Sequence, residues 1–182
     1  MTRASELASA GAAAGTVVVA DFQSQGRGTH GREWHAQPGT CLMFTLLARP
    51  HLEPRDLEHL PAGIAESLAQ ALSSATGIQA VVKEPNDITV NGKKLCGVLC
   101  SSRVTGEHVE WVLCGVGLNT SMSENQLPVE TATSLLCEGV DPLPTHEDLL
   151  TALLSSLEWL LTTEAGGCAS KADKPILSTI GE

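Results

Sequence analysis

Tyrosine is absent from this sequence of 182 residues, and phenylalanine occurs only twice. Single-stranded nucleic acids bind largely by stacking their bases on aromatic side chains, so this composition argues against such a platform. Positive charge is scarce as well, because 11 Lys and Arg oppose 21 Asp and Glu and the formal net charge is −10. Nucleic acids and anionic membranes both require a basic surface, so neither is an expected partner.

Metal-binding cysteine patterns and long apolar runs are also missing. None of the six cysteines forms a Cys-x-x-Cys pair, which argues against a structural zinc site. Most of them lie inside apolar runs, where a reduced cysteine behaves as a small hydrophobic residue. No apolar run approaches the roughly 20 residues that span a bilayer, and the first 15 residues lack the apolar core of a signal peptide. We therefore expect a cytoplasmic protein.

The pattern of apolar residues predicts an α+β domain. Helical spacing or capping signals predict helices over Ala4–Ala10, from Leu57 to near Gly77, and from Thr145 to Leu161. Pro61 falls inside the second helix and predicts a late start or a kink there. Asn91-Gly92 between two apolar runs predicts a tight hairpin. Strands are expected at residues 16–22, 41–48, 79–83, 88–90, 95–101 and 109–118. Hairpins beside long helices favour a mixed, mainly antiparallel sheet with helices packed on it.

The loop between the first two predicted strands contains the spacing G-x-G-x-x-G at residues 26–31. A dinucleotide fingerprint needs a helix after its third glycine, but here Pro38 and Gly39 lead directly into a strand. The Rossmann interpretation therefore fails. What remains is a flexible loop whose glycines allow close approach to an anion and whose guanidinium groups can bind it. The alternative is a solvated connector. The candidate side chains are Arg27, His30, Arg32 and Trp34.

Two further motifs place polar groups near predicted strand ends. The first is Lys83-Glu84-Pro85-Asn86-Asp87 with Lys93-Lys94, in which Asp87 is a candidate magnesium ligand and Lys94 a candidate partner for a carboxylate or phosphate. Taken alone, this motif is better explained by an ordinary turn with an exposed edge, and the functional interpretation gains only in combination with the loop. The second is Gly115-Val116-Gly117-Leu118-Asn119, where glycines in a strand indicate either a close approach to the backbone or a bulge.

Together these motifs resemble the catalytic domain of biotin protein ligases. The matching stretches are residues 23–34, 83–87, 93–99 and 115–119, in the family's order. The resemblance implies one domain over residues 1–182 with the class II aminoacyl-tRNA synthetase/biotin ligase-like fold. It also implies an ATP-dependent enzyme that uses Mg²⁺, forms biotinyl-5′-adenylate and transfers biotin to a lysine of a biotin carboxyl carrier protein. The oligomeric state stays open, with a homodimer as one arrangement.

The resemblance also assigns roles to individual residues. It implies that Lys94 and Arg27 are catalytic and that Asp87 approaches the metal. Biotin-binding roles fall on Gln23, Arg27, Gly28, Thr29, Lys94 and Gly97. ATP-binding roles fall on Arg27, Thr29, His30, Arg32, Trp34, Asn86, Lys94 and Asn119.

Several departures from the family pattern keep other functions open. Thr29 stands where many members have arginine, and Glu84 where tryptophan is usual. The family's Ser-Thr-Asn motif and its small C-terminal β-barrel are expected to be missing, as is a DNA-binding helix-turn-helix. One alternative is a module that binds biotin or adenylate without turnover. Another is a lipoate or octanoyl transferase, although that branch lacks the Gly-Arg-Gly loop.

Overall fold

Six strands form one antiparallel sheet in the computed structural model, which describes residues 1–162. The strands are β1 (Val17–Ala20), β2 (Cys41–Ala48), β3 (Val81–Lys83), β4 (Asp87–Val90), β5 (Lys93–Thr105) and β6 (His108–Asn119). Their order across the sheet is β1-β2-β6-β5-β4-β3, and every neighbouring pair is antiparallel. The expected α+β class and mainly antiparallel sheet are confirmed.

Four helices accompany the sheet in the described residues: α1 (Thr2–Ser9), α2 (Leu60–Thr76), α3 (His146–Ser156) and α4 (Trp159–Thr162). The late start of α2 is confirmed, because Pro61 lies in its first turn and a separate 3-10 turn, Pro54–Glu58, precedes it. Proline is tolerated there because the first backbone N–H groups of a helix have no partner within the helix. Gly77 ends α2 in the left-handed conformation, with φ of 73°.

The two faces of the sheet carry different layers. Alternate residues of β2, β5 and β6, among them Leu42, Val98 and Val116, join leucines of α2 and α3 in the main core. The opposite face has two smaller clusters, one under α1 and one around Met43 and Met122. Between these clusters, the middle of that face is formed by glycines of β5 and β6. The candidate site therefore lies on the face opposite α2 and α3.

The hairpin predicted at Asn91-Gly92 joins β4 to β5, with φ of 52° at Asn91 and 79° at Gly92. Asparagine and glycine are the residues that adopt this left-handed conformation most readily. Thr145 caps α3, because its side chain accepts a hydrogen bond of 3.1 Å from the Asp148 backbone N–H.

Several predicted boundaries are wrong; β5, for example, runs from Lys93 to Thr105 instead of over residues 95–101. Two of the differences have a clear cause. The first strand ends at Ala20 instead of Phe22, since Asp21 accepts a hydrogen bond from the Gly39 N–H and Phe22 is 54% exposed. The last predicted helix is two helices, because α3 ends at Ser156 and α4 begins at Trp159. The indole of Trp159 donates a hydrogen bond of 3.1 Å to Ser67, which attaches α4 to α2. No helix within residues 1–162 has the length and apolar character needed to cross a bilayer.

Candidate active site

The floor of the candidate site is a patch of sheet without side chains. Gly97 of β5 pairs directly with Gly117 of β6. The indole of Trp34 lies on this patch, since a Cβ on Gly117 would come 2.8 Å from its Cε2 and Cζ2 atoms, and a Cβ on Gly97 would come 3.4 Å from Cζ3. The ladder is regular through Gly115 and Gly117. Close approach, not a bulge, therefore accounts for the strand glycines.

Lys94 projects its ammonium group over the same floor. Its Nζ atom lies 2.6 Å from Oδ1 of Asp87 on the neighbouring strand β4 and 5.7 Å from the centroid of the Trp34 ring. Both side chains of the ion pair are largely buried, with 32% of Lys94 and 20% of Asp87 exposed. A cation held between a carboxylate and an aromatic face is partly withdrawn from water. Water therefore screens its charge only weakly, and Asp87 is its compensating anion.

The backbone of Lys94 is fixed from outside the sheet ladder. Its N–H donates a hydrogen bond of 2.7 Å to the Thr131 carbonyl, and its carbonyl accepts one of 2.8 Å from the Thr133 N–H. These two bonds form an isolated parallel bridge between Lys94 and Ala132. The sequence motifs gave no indication of this bracket.

The glycine-rich loop folds back on itself above the floor. The Trp34 N–H donates to the Gly26 carbonyl at 2.9 Å, and the Gly28 N–H donates to the Arg32 carbonyl at 2.7 Å. A Cβ at Gly26 would overlap the Trp34 carbonyl oxygen, so this close return of the chain requires glycine. The Arg32 guanidinium donates to the Thr29 hydroxyl at 2.9 Å. Arg27 is exposed, and no described residue forms a hydrogen bond or ion pair with its guanidinium.

Two cavities adjoin the loop. A small one of about 60 Å³ lies between the loop and the floor. A larger one of about 850 Å³ lies between the loop and Gln126 and Pro128. The small cavity brings together eight predicted site residues: Gln23, Arg27, Gly28, Thr29, Trp34, Asn86, Lys94 and Gly97. Arg27 and Trp34 line both cavities. Residues that the sequence motifs did not single out for this site include Met43 and Thr45.

The remaining predicted residues lie elsewhere. Arg32 faces the larger cavity. Asn119 is buried, donates to the Thr133 carbonyl at 2.8 Å and accepts from the Cys41 thiol at 3.3 Å. The Asn86 amide also lies at the small cavity but donates to the Val98 carbonyl at 2.7 Å. The side chain of His30 lies outside the described part of the structure.

Metal ligands are sparse in residues 1–162, which contain no group of three His, Cys, Asp or Glu side chains placed to hold an ion. Asp87 is a single carboxylate in an ion pair. Magnesium commonly uses one or two carboxylates together with waters and substrate phosphates. The described residues therefore suit an ion that arrives with a nucleotide, with Asp87 as one ligand, better than a resident metal.

The buried cysteines Cys41 and Cys96 are not nucleophiles in this structure. Burial raises the pKa of Cys41 and of Cys96 to about 12 from the usual 9.0. Because the thiolate is the nucleophilic form, both groups are inert near neutral pH. Among the described residues, the five cysteines are free.

The fold and this site define a class of protein. The sequence pattern of the Biotin/lipoate A/B protein ligase family matches residues 1–119, and the chain belongs to that family. Among its relatives, the Bifunctional ligase/repressor BirA of Bacillus subtilis is 39% identical over 135 residues, which cover 72% of this chain and 42% of that protein. The biotin–[acetyl-CoA-carboxylase] ligase of Mycobacterium tuberculosis is 33% identical over 152 residues, which cover 79% of this chain and 53% of that protein.

A solved structure supports the same placement. The biotin protein ligase from Aquifex aeolicus, in complex with biotin and ATP, matches with a TM-score of 0.67 and 30% identity over 85% of this chain and 63% of that one. The fold expected from the sequence motifs is thus confirmed. The chain spans about half the length of the curated relatives it matches.

Proposed function

We propose that this chain is the catalytic part of an ATP-dependent biotin–protein ligase. In the first step a biotin carboxylate oxygen attacks the α-phosphorus of ATP, which gives biotinyl-5′-adenylate and releases pyrophosphate. In the second step a lysine amine of a biotin carboxyl carrier protein attacks the acyl carbon and AMP leaves. The observation that carries the proposal is the Lys94 ammonium, held on a glycine floor beneath an arginine-bearing loop.

Lys94 answers the main electrostatic difficulty of the first step. A carboxylate must approach a polyphosphate, and both are anions, so fixed positive charge at the meeting point lowers the barrier. Lys94 would contact the biotin carboxylate and the α-phosphate, with Asp87 orienting its ammonium at 2.6 Å. Arg27 has no competing partner among the described residues and would add a second cation from the loop side.

A ligand that binds on the glycine floor would have to move the loop. The cavity on the floor holds about 60 Å³, roughly two waters, whereas ligand pockets usually measure about 300 Å³ or more. Trp34 occupies the floor over Gly97 and Gly117, so biotin would displace the indole. A loop that then closes over the adenylate would exclude water, which otherwise hydrolyses the mixed anhydride.

Magnesium would enter with ATP as the MgATP substrate. Asp87 supplies the one carboxylate near Lys94 in the described residues, and the phosphates would supply further oxygens. Trp34, once displaced, would be free to cover the adenine ring. The carrier is proposed from the chemistry of the second step and from the name of the M. tuberculosis relative.

A direct test combines the chain with biotin, MgATP and a purified carrier domain. The proposal predicts pyrophosphate release and a carrier whose mass increases by one biotin. Lys94→Ala should reduce pyrophosphate release by about 100-fold. It also leaves the largely buried Asp87 carboxylate without its partner, so the free energy of unfolding should fall by about 1–3 kcal/mol, and rates are compared well below the unfolding temperature. Lys93→Ala is the matched control, because Lys93 is an exposed neighbour on the same strand.

The same experiment separates the alternatives. Biotin binding by calorimetry without pyrophosphate release would favour a binding module. Preference for lipoate over biotin in competition would favour a transferase of the other branch. If the chain neither binds biotin nor releases pyrophosphate, the assignment is refuted. If Lys94→Ala releases pyrophosphate at the wild-type rate, Lys94 takes no part in the chemistry.

A further inference from the structure

A segment far from the recognised motifs contacts two of the predicted site residues, Lys94 and Asn119. Residues 131–139 follow β6, and the first three of them lie beside the start of β5, where Thr131 and Thr133 form hydrogen bonds with the Lys94 backbone. The carbonyl of Thr133 also accepts the hydrogen bond from the Asn119 side chain at 2.8 Å. One residue of this segment therefore touches two of the predicted site residues. Thr133 is itself buried, with 2% of its surface exposed.

Glu138 fixes this segment with both oxygens of its carboxylate. Oε1 accepts a hydrogen bond of 2.6 Å from the Thr133 hydroxyl. Oε2 accepts one of 2.8 Å from the Asn91 side-chain amide, at the hairpin turn that leads into β5. Hydrogen bonds to a carboxylate are shorter and stronger than those between neutral groups. The Glu138 carboxylate thus links the turn before Lys94 to the strand-like residue beside Lys94.

We propose that Glu138 is a positioning residue for Lys94. The proposal rests on the proposed function, because it assigns Glu138 a part in placing the ammonium for adenylate formation. Lys94 lies three residues after Asn91 and forms backbone hydrogen bonds with Thr131 and Thr133. Glu138 accepts hydrogen bonds from Asn91 in the turn and from Thr133 beside Lys94. A shift of the turn or of Thr133 would therefore move the Lys94 backbone. No contact between Glu138 and a ligand is involved.

Small displacements matter at such a site, because a misplacement of 1 Å can cost about 100-fold in rate. Glu138→Ala removes both hydrogen bonds and should lower the kcat for pyrophosphate release by at least tenfold. It should change the KM for ATP much less. Glu138→Gln should retain most of the rate, since its oxygen can accept from Thr133 and its amide can donate to Asn91 once the Asn91 amide is turned.

A double-mutant cycle separates positioning from a general loss of stability. If Glu138 acts through Lys94, Glu138→Ala should have no further effect on the single-turnover rate in the Lys94→Ala background. Glu110→Ala is the matched control, because Glu110 also links two residues, Thr105 and Arg103, at the far end of the β5–β6 hairpin. All rates are compared well below the unfolding temperature of each variant.

Amide hydrogen exchange provides a readout that needs no turnover. Glu138→Ala should speed exchange at the Lys94 and Thr133 amides, whereas Glu138→Gln and Glu110→Ala should leave it near the wild-type rate. Unchanged exchange at both amides would overturn the proposal. So would an equal loss of rate in the Lys94→Ala background. A wild-type chain without adenylation activity would refute the proposed function, and the exchange rates would still decide whether Glu138 positions Lys94.

Discussion

Alanine at position 117 tests the central geometric feature of the site, the indole lying on a glycine floor. The added Cβ would come 2.8 Å from two carbons of Trp34, about 0.7 Å inside the shortest favourable carbon–carbon separation. Trp34 belongs to a loop and is only half-buried, so it can move, but it then loses its packing on Gly97. We expect Gly117→Ala to push Trp34 off the floor.

The expected magnitude combines two opposing effects. Overpacking of a filled position costs about 1–3 kcal/mol, while replacing glycine by alanine in a strand gains about 0.5–1 kcal/mol. The net change should be a destabilisation of about 1 kcal/mol. With Trp34→Ala already present, the overlap no longer exists, and Gly117→Ala should instead stabilise by about 0.5 kcal/mol.

Urea unfolding of the wild type, both single variants and the double variant gives the coupling free energy between positions 34 and 117. We expect a coupling of about 1–2 kcal/mol. Gly63→Ala is the control, because the nearest atom to its added Cβ is Trp159 Cη2 at 4.0 Å, so it should show no coupling to Trp34. If Gly117→Ala changes stability equally with and without Trp34, the indole does not lie where we describe it.

Two further predictions concern stability. Burial raises the pKa of the Cys96 thiol to about 12 in the folded chain, against 9.0 in the unfolded chain. The unfolded state therefore loses its proton first, and stability should fall as the pH rises from 9.0 towards about 12. In urea unfolding under a reductant, Cys96→Ala should flatten this slope by up to about 1.4 kcal/mol per pH unit, and an unchanged slope would contradict the prediction. Asn86→Ala should lower the free energy of unfolding by about 1–3 kcal/mol, because the buried Asn86 amide donates a hydrogen bond to Val98. If the variant instead raises the KM for ATP and leaves stability unaltered, the result supports the ligand contact expected from the sequence.

The parts of the fold that could be predicted depend on short-range signals. The Asn91-Gly92 turn, the Thr145 cap and the effect of Pro61 each follow from conformations available to one or two residues. The wrong boundaries depend on distant partners. Phe22 leaves the strand because Asp21 bonds to Gly39, and the last helix breaks where Trp159 reaches Ser67. No local pattern encodes those contacts.

The residues of the candidate site also divide into those that local motifs indicate and those that depend on distant contacts. The motifs led to Arg27, Lys94 and Gly97, and the structure places them around one cavity. The sequence indicated either a close approach or a bulge at the strand glycines, and it could not name Trp34 as the group that approaches. Likewise, Glu138 is an ordinary acidic residue in the sequence. Its role depends on the segment after β6 returning to the start of β5, which is a property of the topology.

The two partners of Lys94 are held by different kinds of element, a sheet strand and a loop, and this difference shapes how a ligand would bind. Asp87 lies on a sheet strand and stays beside the ammonium, whereas Trp34 lies on the loop and can be displaced. A ligand carboxylate would therefore replace an aromatic face, not a carboxylate, and the ammonium has already lost part of its water. Most of the free-energy cost of removing the Lys94 ammonium from water is then met during folding, not when the ligand binds. Affinity at this site should depend more on how firmly Trp34 is held than on the strength of the Lys94–Asp87 pair.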